Sequence, residues 1–291
     1  MKVKKYARPV LAILIIVLTV AAFAYYAHAH PKILHQVQQA SPGLLVALLA
    51  LYGIAFVALA IITRASLRLY QKTMSMPENF LFNAYSSLIN FFGPGQSGPA
   101  FRGIYLKKRH QLELKKYMFA SLLYYGFFAV LSAVCMFVGT RPWWQTLLLA
   151  AGAGTISIGA LRYYKKRADM QNIVRLRPTA IGWLFCATIL QAAALVAINA
   201  TELHSIQAHV SLGQVLAYTG VANFSLFVAI TPGAIGIRES FLLFSTRLHH
   251  IPSSDIVAAS VIDRAAYLIF LGALFVLVLA LHARKKLGIT E

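Results

Sequence analysis

Charge is scarce in this chain. Asp, Glu, Lys and Arg together make up 12% of its 291 residues, about half the roughly 25% of an ordinary soluble domain. That excludes a globular surface built for water. Only two cysteines are present, Cys135 and Cys186. Both fall in apolar runs, which excludes a disulfide framework and reads them as small core residues. No polar stretch is long enough to bury a core of its own, so residues 1–291 are expected to form one membrane domain. A P-loop, a nucleophile elbow and a His/Asp/Glu cluster at metal-ligand spacing are all missing. We therefore expect no enzyme activity, no cofactor, no metal and, for this chain alone, no ATP-driven step.

What the chain does have is oil. Hydrophobic residues are 59% of it, and the mean hydropathy is +0.68. Apolar runs of about 20 residues, enough to cross some 30 Å of hydrocarbon, occupy residues 9–27, 42–63, 116–138, 143–163, 179–199 and 256–281. The first is long for a cleaved signal sequence and reads as a retained span. The second is expected to continue as helix to Lys72, with Arg64, Arg68 and Lys72 on one face. The net charge of +19 does not point to nucleic acid. Basic residues gather at span ends, next to lipid head groups, and no basic helix stands clear of the membrane.

Two segments are apolar but interrupted. Residues 79–92 stop at Gly93-Pro94-Gly95, and a short helix over 99–109 leads to a basic cluster. Residues 211–230 stop at Thr231-Pro232-Gly233, and a second short helix is expected over 234–249. Irregular backbone at membrane depth is tolerated only where protein or a wet cavity covers it. Each pair reads as a broken helical hairpin that returns to the side it entered from. With a cytoplasmic N-terminus, Arg64, Arg68, Lys107, Lys108, Arg109, Arg162, Arg175, Arg177 and the residues 284–286 fall on the cytoplasmic side. The positive-inside rule then gives N-in and C-in. His249 and His250 read as interfacial.

The fold expected is an all-α polytopic membrane protein with six full spans and two broken hairpins. It divides into two repeats of inverted topology, about 9–139 and 143–282. Pro94-Gly95-x-x-Gly98 matches Pro232-Gly233-x-x-Gly236, and Ala120-Ser121 matches Ala259-Ser260 further on. Inverted repeats with a discontinuous helix in each half mark alternating-access transporters, with substrate held near the midplane between the breaks.

Few charges are expected at membrane depth: Arg102, Arg238, Glu239, Asp263 and Arg264. Each costs about 2.5–3.5 kcal/mol on insertion scales, so each needs a partner or water. Neighbours on a helix point about 100° apart, so Arg238-Glu239 and Asp263-Arg264 are not self-satisfied pairs. Crossed pairs, Arg238 with Asp263 and Glu239 with Arg264, would satisfy all four as a clamp. The other reading has the arginines holding an anion, since a guanidinium is a bidentate donor for phosphate. The half-helices after Pro94-Gly95 and Pro232-Gly233 would aim N–H groups at the same place. Gly98 and Gly236 would let backbone approach a ligand. Arg102, five residues before the basic cluster, is the charge nearest the interface.

These motifs resemble those of the lysylphosphatidylglycerol synthase transmembrane-region family of flippase-like proteins. The match lies in residues 231–239 with 258–264, and more weakly in residues 95–102. Two departures stand out. Ala234 replaces the family's second glycine, and Tyr124-Tyr125 occupy positions where the family often has Glu-Arg. The resemblance implies movement of anionic or aminoacylated phospholipid between leaflets of the cell membrane. No soluble synthase domain is expected before Glu291. The substrate-site candidates are Arg238, Glu239, Arg264, Asp263, Arg102, Pro232, Gly233, Gly236, Pro94, Gly95 and Gly98. The expected partners are membrane lipids, with a separate lipid-modifying enzyme and a homo-oligomer left open. A small-anion carrier and a non-transporting partner of a lipid-synthesis enzyme are the alternatives.

Overall fold

The computed structural model describes residues 41–93, 97–138, 144, 148, 151–152, 155, 177–206, 208–228, 231–234 and 236–286. The expected first span, most of the fourth, Pro94 and Gly95 lie outside them. Among the described residues the chain is all helical, without a strand.

Helix α1 covers Pro42–Arg68. Ser41 caps it by accepting the Leu44 N–H at 3.3 Å, and Pro42 sits where its missing N–H is harmless. It does not run on to Lys72. Gln71 turns left-handed at φ 58°, and the Lys72 N–H bonds back to the Leu67 carbonyl at 3.1 Å, a closing bond that ends helices. Helix α2 covers Met76–Phe92 and begins three residues earlier than expected, because Ser75 accepts the Glu78 N–H. Helices α3 (Ser97–His110) and α4 (Leu114–Val138) follow. Helix α5 covers Pro178–Ser205 and runs a turn and a half past the expected end at Asn199. Helix α6 is Leu212–Ser225.

A 3-10 turn, Pro232–Ala234, leads to α7 (Ile237–Phe244) and α8 (Thr246–His249). The single helix expected over 234–249 is therefore two pieces. Helix α9 is Ser253–Lys286. Among the described residues, four helices are long and apolar enough to cross a membrane: α1, α4, α5 and the Ser253–Leu281 part of α9. Their outward faces carry exposed Val57, Leu122, Trp183, Ile189, Phe275 and Val276. Cys186 faces the same way, so it is a surface residue and not the core residue expected.

Packing fixes directions. Leu48 clusters with Ile198, Ile62 with Leu184, and Leu69 with Ala180, so α1 and α5 are antiparallel. In α2 and α3 the contacts step from Asn90–Gly98 to Ser86–Arg102 to Glu78–Tyr105, an antiparallel hairpin. At 17 and 14 residues these helices are about 26 and 21 Å long, both short of a crossing. Helix α6 pairs with α7 and α8 in the same sense. Tyr218 stacks edge-on against His249 at 5.6 Å, and Gln214 donates to the His250 carbonyl at 3.5 Å. His249 is buried and bonded to the Leu242 carbonyl, not interfacial as expected.

The two hairpin ends meet. A Cβ on Gly233 would stand 2.8 Å from the ring of Phe91, at the end of α2. At the opposite end of this hairpin Glu78 accepts from Tyr105 (2.8 Å) and bonds His110 (2.9 Å). Burial opposes the Glu78 charge, but those bonds and the nearby His110 and Arg109 hold its carboxyl below the usual range. Arg68, residues 107–109, Lys115, Lys116 and Arg177 all stand at this end of the bundle, gathered by the Leu67–Met74–Leu106–Leu112 and Leu69–Ala120–Ala180 clusters. At the far end the described residues carry one arginine, Arg247.

Candidate functional site

The site grows from the second break. Gly233 and Gly236 have φ of 60° and 82°, a region L side chains rarely adopt. The two glycines let the chain turn sharply into α7 at Arg238. Ala234 also sits at φ 57°. Glu239, in the first turn of α7, reaches back to accept the Gly236 N–H at 2.7 Å, half of a capping box. Its other oxygen accepts from Arg264 Nη2 at 3.1 Å. Arg264 Nη1 donates to the Gly233 carbonyl at 2.6 Å. One arginine on α9 thus holds both the broken backbone and the capping carboxylate.

Arg238 points the other way, into the bundle. It pairs with Asp263 of α9 and donates to Asn199 Oδ1 of α5 at 2.9 Å. Asp263 also accepts from the Tyr52 hydroxyl of α1. Arg238, Asp263 and Arg264 are only 8, 6 and 7% exposed. Both crossed pairs expected from the sequence are formed. The clamp therefore exists, and it joins α1, α5, α7 and α9.

It does not use every polar atom present. Among the described residues, buried side-chain atoms outside the hydrogen bonds just described include Arg264 Nε, Asn223 Nδ2, Ser260 Oγ, Tyr218 OH and both oxygens of Glu202, with Tyr218 facing Ser260 and Glu202 facing Asp263. All lie on α5, α6 and α9 within a few turns of the break. The first half contributes one such atom, Tyr70 OH. Buried polar groups are almost always satisfied, so this cluster offers hydrogen bonds to a bound polar group or to water. The cluster combines donors for an anion with a carboxyl.

The family model of the lysylphosphatidylglycerol synthase TM region matches residues 10–274. The chain belongs to that family. No curated protein matches it. As a member of the lysylphosphatidylglycerol synthase TM-region family it is an integral membrane protein tied to lipid metabolism.

The other predicted residues are placed as follows. Arg102 does not reach solvent freely. It donates to Ser86 at 2.6 Å and lies within electrostatic reach of Tyr117, Tyr124, Tyr125 and Tyr267. No carboxylate pairs with it among the described residues. Tyr124 and Tyr125, standing where this family often has a charged pair, set their rings 4.9 Å apart and tilted at 45°, and Tyr124 donates to Gln191 at 2.9 Å. Gly98 is pressed against α2. An added Cβ would lie 2.7 Å from Asn90 Cβ and 2.8 Å from the Ser86 carbonyl, so close packing accounts for this glycine. At Gly236 the space is open. Pro232 belongs to the 3-10 turn. An open groove of about 530 Å³ lies elsewhere, lined by Ser41, Leu44, Thr201 and His204, and includes none of these charges.

Sequence reasoning missed Glu202, Asn199, Tyr52 and Tyr218. Asn199 had a signal. Thr63, Asn83 and Arg102 precede Asn199, Thr219 and Arg238 by the same 136 positions. Thr63 bonds Asn83 at 2.9 Å, and Asn199 bonds Thr219 at 3.1 Å. Each bond ties a span to the first helix of the hairpin after it, with Thr and Asn exchanged.

Proposed function

We propose that this protein moves an anionic or aminoacylated phospholipid between membrane leaflets, its head group entering beside the second break while the acyl tails stay in lipid. The observation that carries this is the surplus of buried polar atoms around a charge cluster inside apolar helices. A purely structural clamp needs Arg238–Asp263 and Arg264–Glu239 and nothing more. A phosphate would be received by Arg264 Nε, Ser260, Tyr218 and Asn223, beside a guanidinium that can exchange Asp263 for it.

The architecture that goes with this is six spans and two re-entrant hairpins in two inverted repeats, about 9–139 and 143–282. The 136-residue register of Thr63/Asn199, Asn83/Thr219 and Arg102/Arg238 supports the repeat. The contact of Phe91 with Gly233 supports a site between the two breaks. Gathering of basic residues at one end supports N-in and C-in orientation in the cell membrane. The protein acts as a transporter and not an enzyme, alone or with copies of itself and a separate lipid-modifying enzyme.

The test is reconstitution in liposomes with labelled anionic phospholipid, comparing wild type with Arg238→Ala and Arg264→Ala. Wild type should move the lipid and both variants should lose most of the rate. No movement by well-folded wild type refutes the proposal. Movement of a small soluble anion in its place would favour the carrier alternative.

A further inference from the structure

Glu202 is fully buried, at 0% exposure, near the end of a membrane-spanning helix. No donor reaches either of its oxygens. The group it does face at hydrogen-bonding range is another acceptor, the Asp263 carboxyl. Two carboxyl groups at that range hold a proton between them, because like charges so close do not both ionise. Charge counting agrees. Arg238 is matched by Asp263 and Arg264 by Glu239, so the cluster is neutral only if Glu202 is. An ionised carboxylate buried without a donor gives up its charge and binds a proton instead.

We propose that Glu202 is a proton-carrying site, and that its proton couples transport to the proton gradient. The coupling rests on the transport reading above; the proton on Glu202 does not. When an anionic group takes Arg238, Asp263 loses its cation. The O–H bond of Glu202 then breaks as an O–H bond forms on Asp263. Glu202 regains a proton from water at the end of α5, one helical turn away. One proton enters with each negative charge bound, so the cluster is neutral before binding and neutral again once Glu202 is reprotonated.

The surroundings fit this role. Glu202 is faced by Tyr52 from α1, Tyr218 from α6, Arg238 from α7, and Asp263 and Arg264 from α9. His249 of α8 stands behind Tyr218. Helix α4 meets α5 through Tyr124 at Gln191, towards the other end. The position corresponding to Glu202 in the 136-residue register is Ser66, so the device belongs to the second half alone.

Two measurements on the full chain test it. Infrared difference spectra of wild type against Glu202→Gln should show a protonated-carboxyl C=O band at neutral pH that the variant lacks. Glu202→Asp should shift that band without removing it. In liposomes carrying labelled anionic phospholipid, an imposed pH gradient at constant membrane potential should change the rates of wild type and Glu202→Asp several-fold, and should produce no gradient-driven change in Glu202→Gln. Absence of the band overturns the proton site. A pH-gradient response that survives in Glu202→Gln overturns the coupling. A band present in a folded protein that moves no lipid upholds the proton site and refutes the lipid reading.

Discussion

Removing Asp263 separates what the cluster does for stability from what it does for transport. Asp263→Ala would leave the buried Arg238 guanidinium without its paired carboxylate, hydrogen-bonded to Asn199, and would strand the Tyr52 hydroxyl. Breaking a buried ion pair from one side costs about 3–5 kcal/mol, and an uncompensated intramembrane arginine costs about 2.5–3.5 kcal/mol on insertion scales. The two ranges meet near 3 kcal/mol, the loss expected for this variant. Replacing both partners with apolar residues, Arg238→Met with Asp263→Leu, leaves no stranded charge and is often close to neutral. The double variant should therefore be more stable than Asp263→Ala alone. Denaturation midpoints in nanodiscs, run as a double-mutant cycle, measure this. The same double variant should be folded yet unable to move lipid. Single variants within about 0.5 kcal/mol of wild type, the range of an uncoupled surface change, would refute the clamp. A double variant with full transport would refute the site.

Three more outcomes follow from the geometry. Gly98→Ala should cost about 1–3 kcal/mol by overpacking, seen as a lower unfolding midpoint, because Asn90 and the Ser86 carbonyl leave no room for a methyl. Gly233→Ala should cost about 1–2 kcal/mol from its positive φ, with a further loss from the Phe91 ring, and should lower transport more than Gly98→Ala does. Glu78 has a lowered carboxyl pKa in the fold. Its stabilising effect is present above the ordinary value of about 4.3 and is lost as pH falls through the lower folded one. Acid should thus loosen the α2–α3 hairpin first, as cysteine accessibility at residues introduced near Tyr105 would report, and Glu78→Gln should abolish that acid step.

The charges and breaks were legible because oil makes them conspicuous. Four charges on two helices, each adjacent pair pointing apart, leave crossed pairing as the economical solution, and the structure adopts it. Glu202 was not legible. Thr201-Glu202-Leu203-His204-Ser205 has the composition of a loop, and only the packing of α6 and α9 against α5 turns it into buried helix. The clue available was the 136-residue register, which carries the span past Asn199. His249 hid for a similar reason: its burial depends on Tyr218, thirty-one positions away. Gly98 and Gly236 share one motif position yet do different things. One is squeezed between helices and the other stands open at a turn, and sequence spacing alone does not separate them.

The most direct test asks where a head group sits. An anionic phospholipid with a photoreactive group on its head, crosslinked in liposomes and mapped by mass spectrometry, answers it. Labelling is expected on α6 near Tyr218 and Asn223, on the turn into α7, and on α9 near Ser260, all competed away by unlabelled anionic lipid. Labelling confined to the basic end, around residues 107–116 and Arg177, with none between 218 and 264, would contradict this placement.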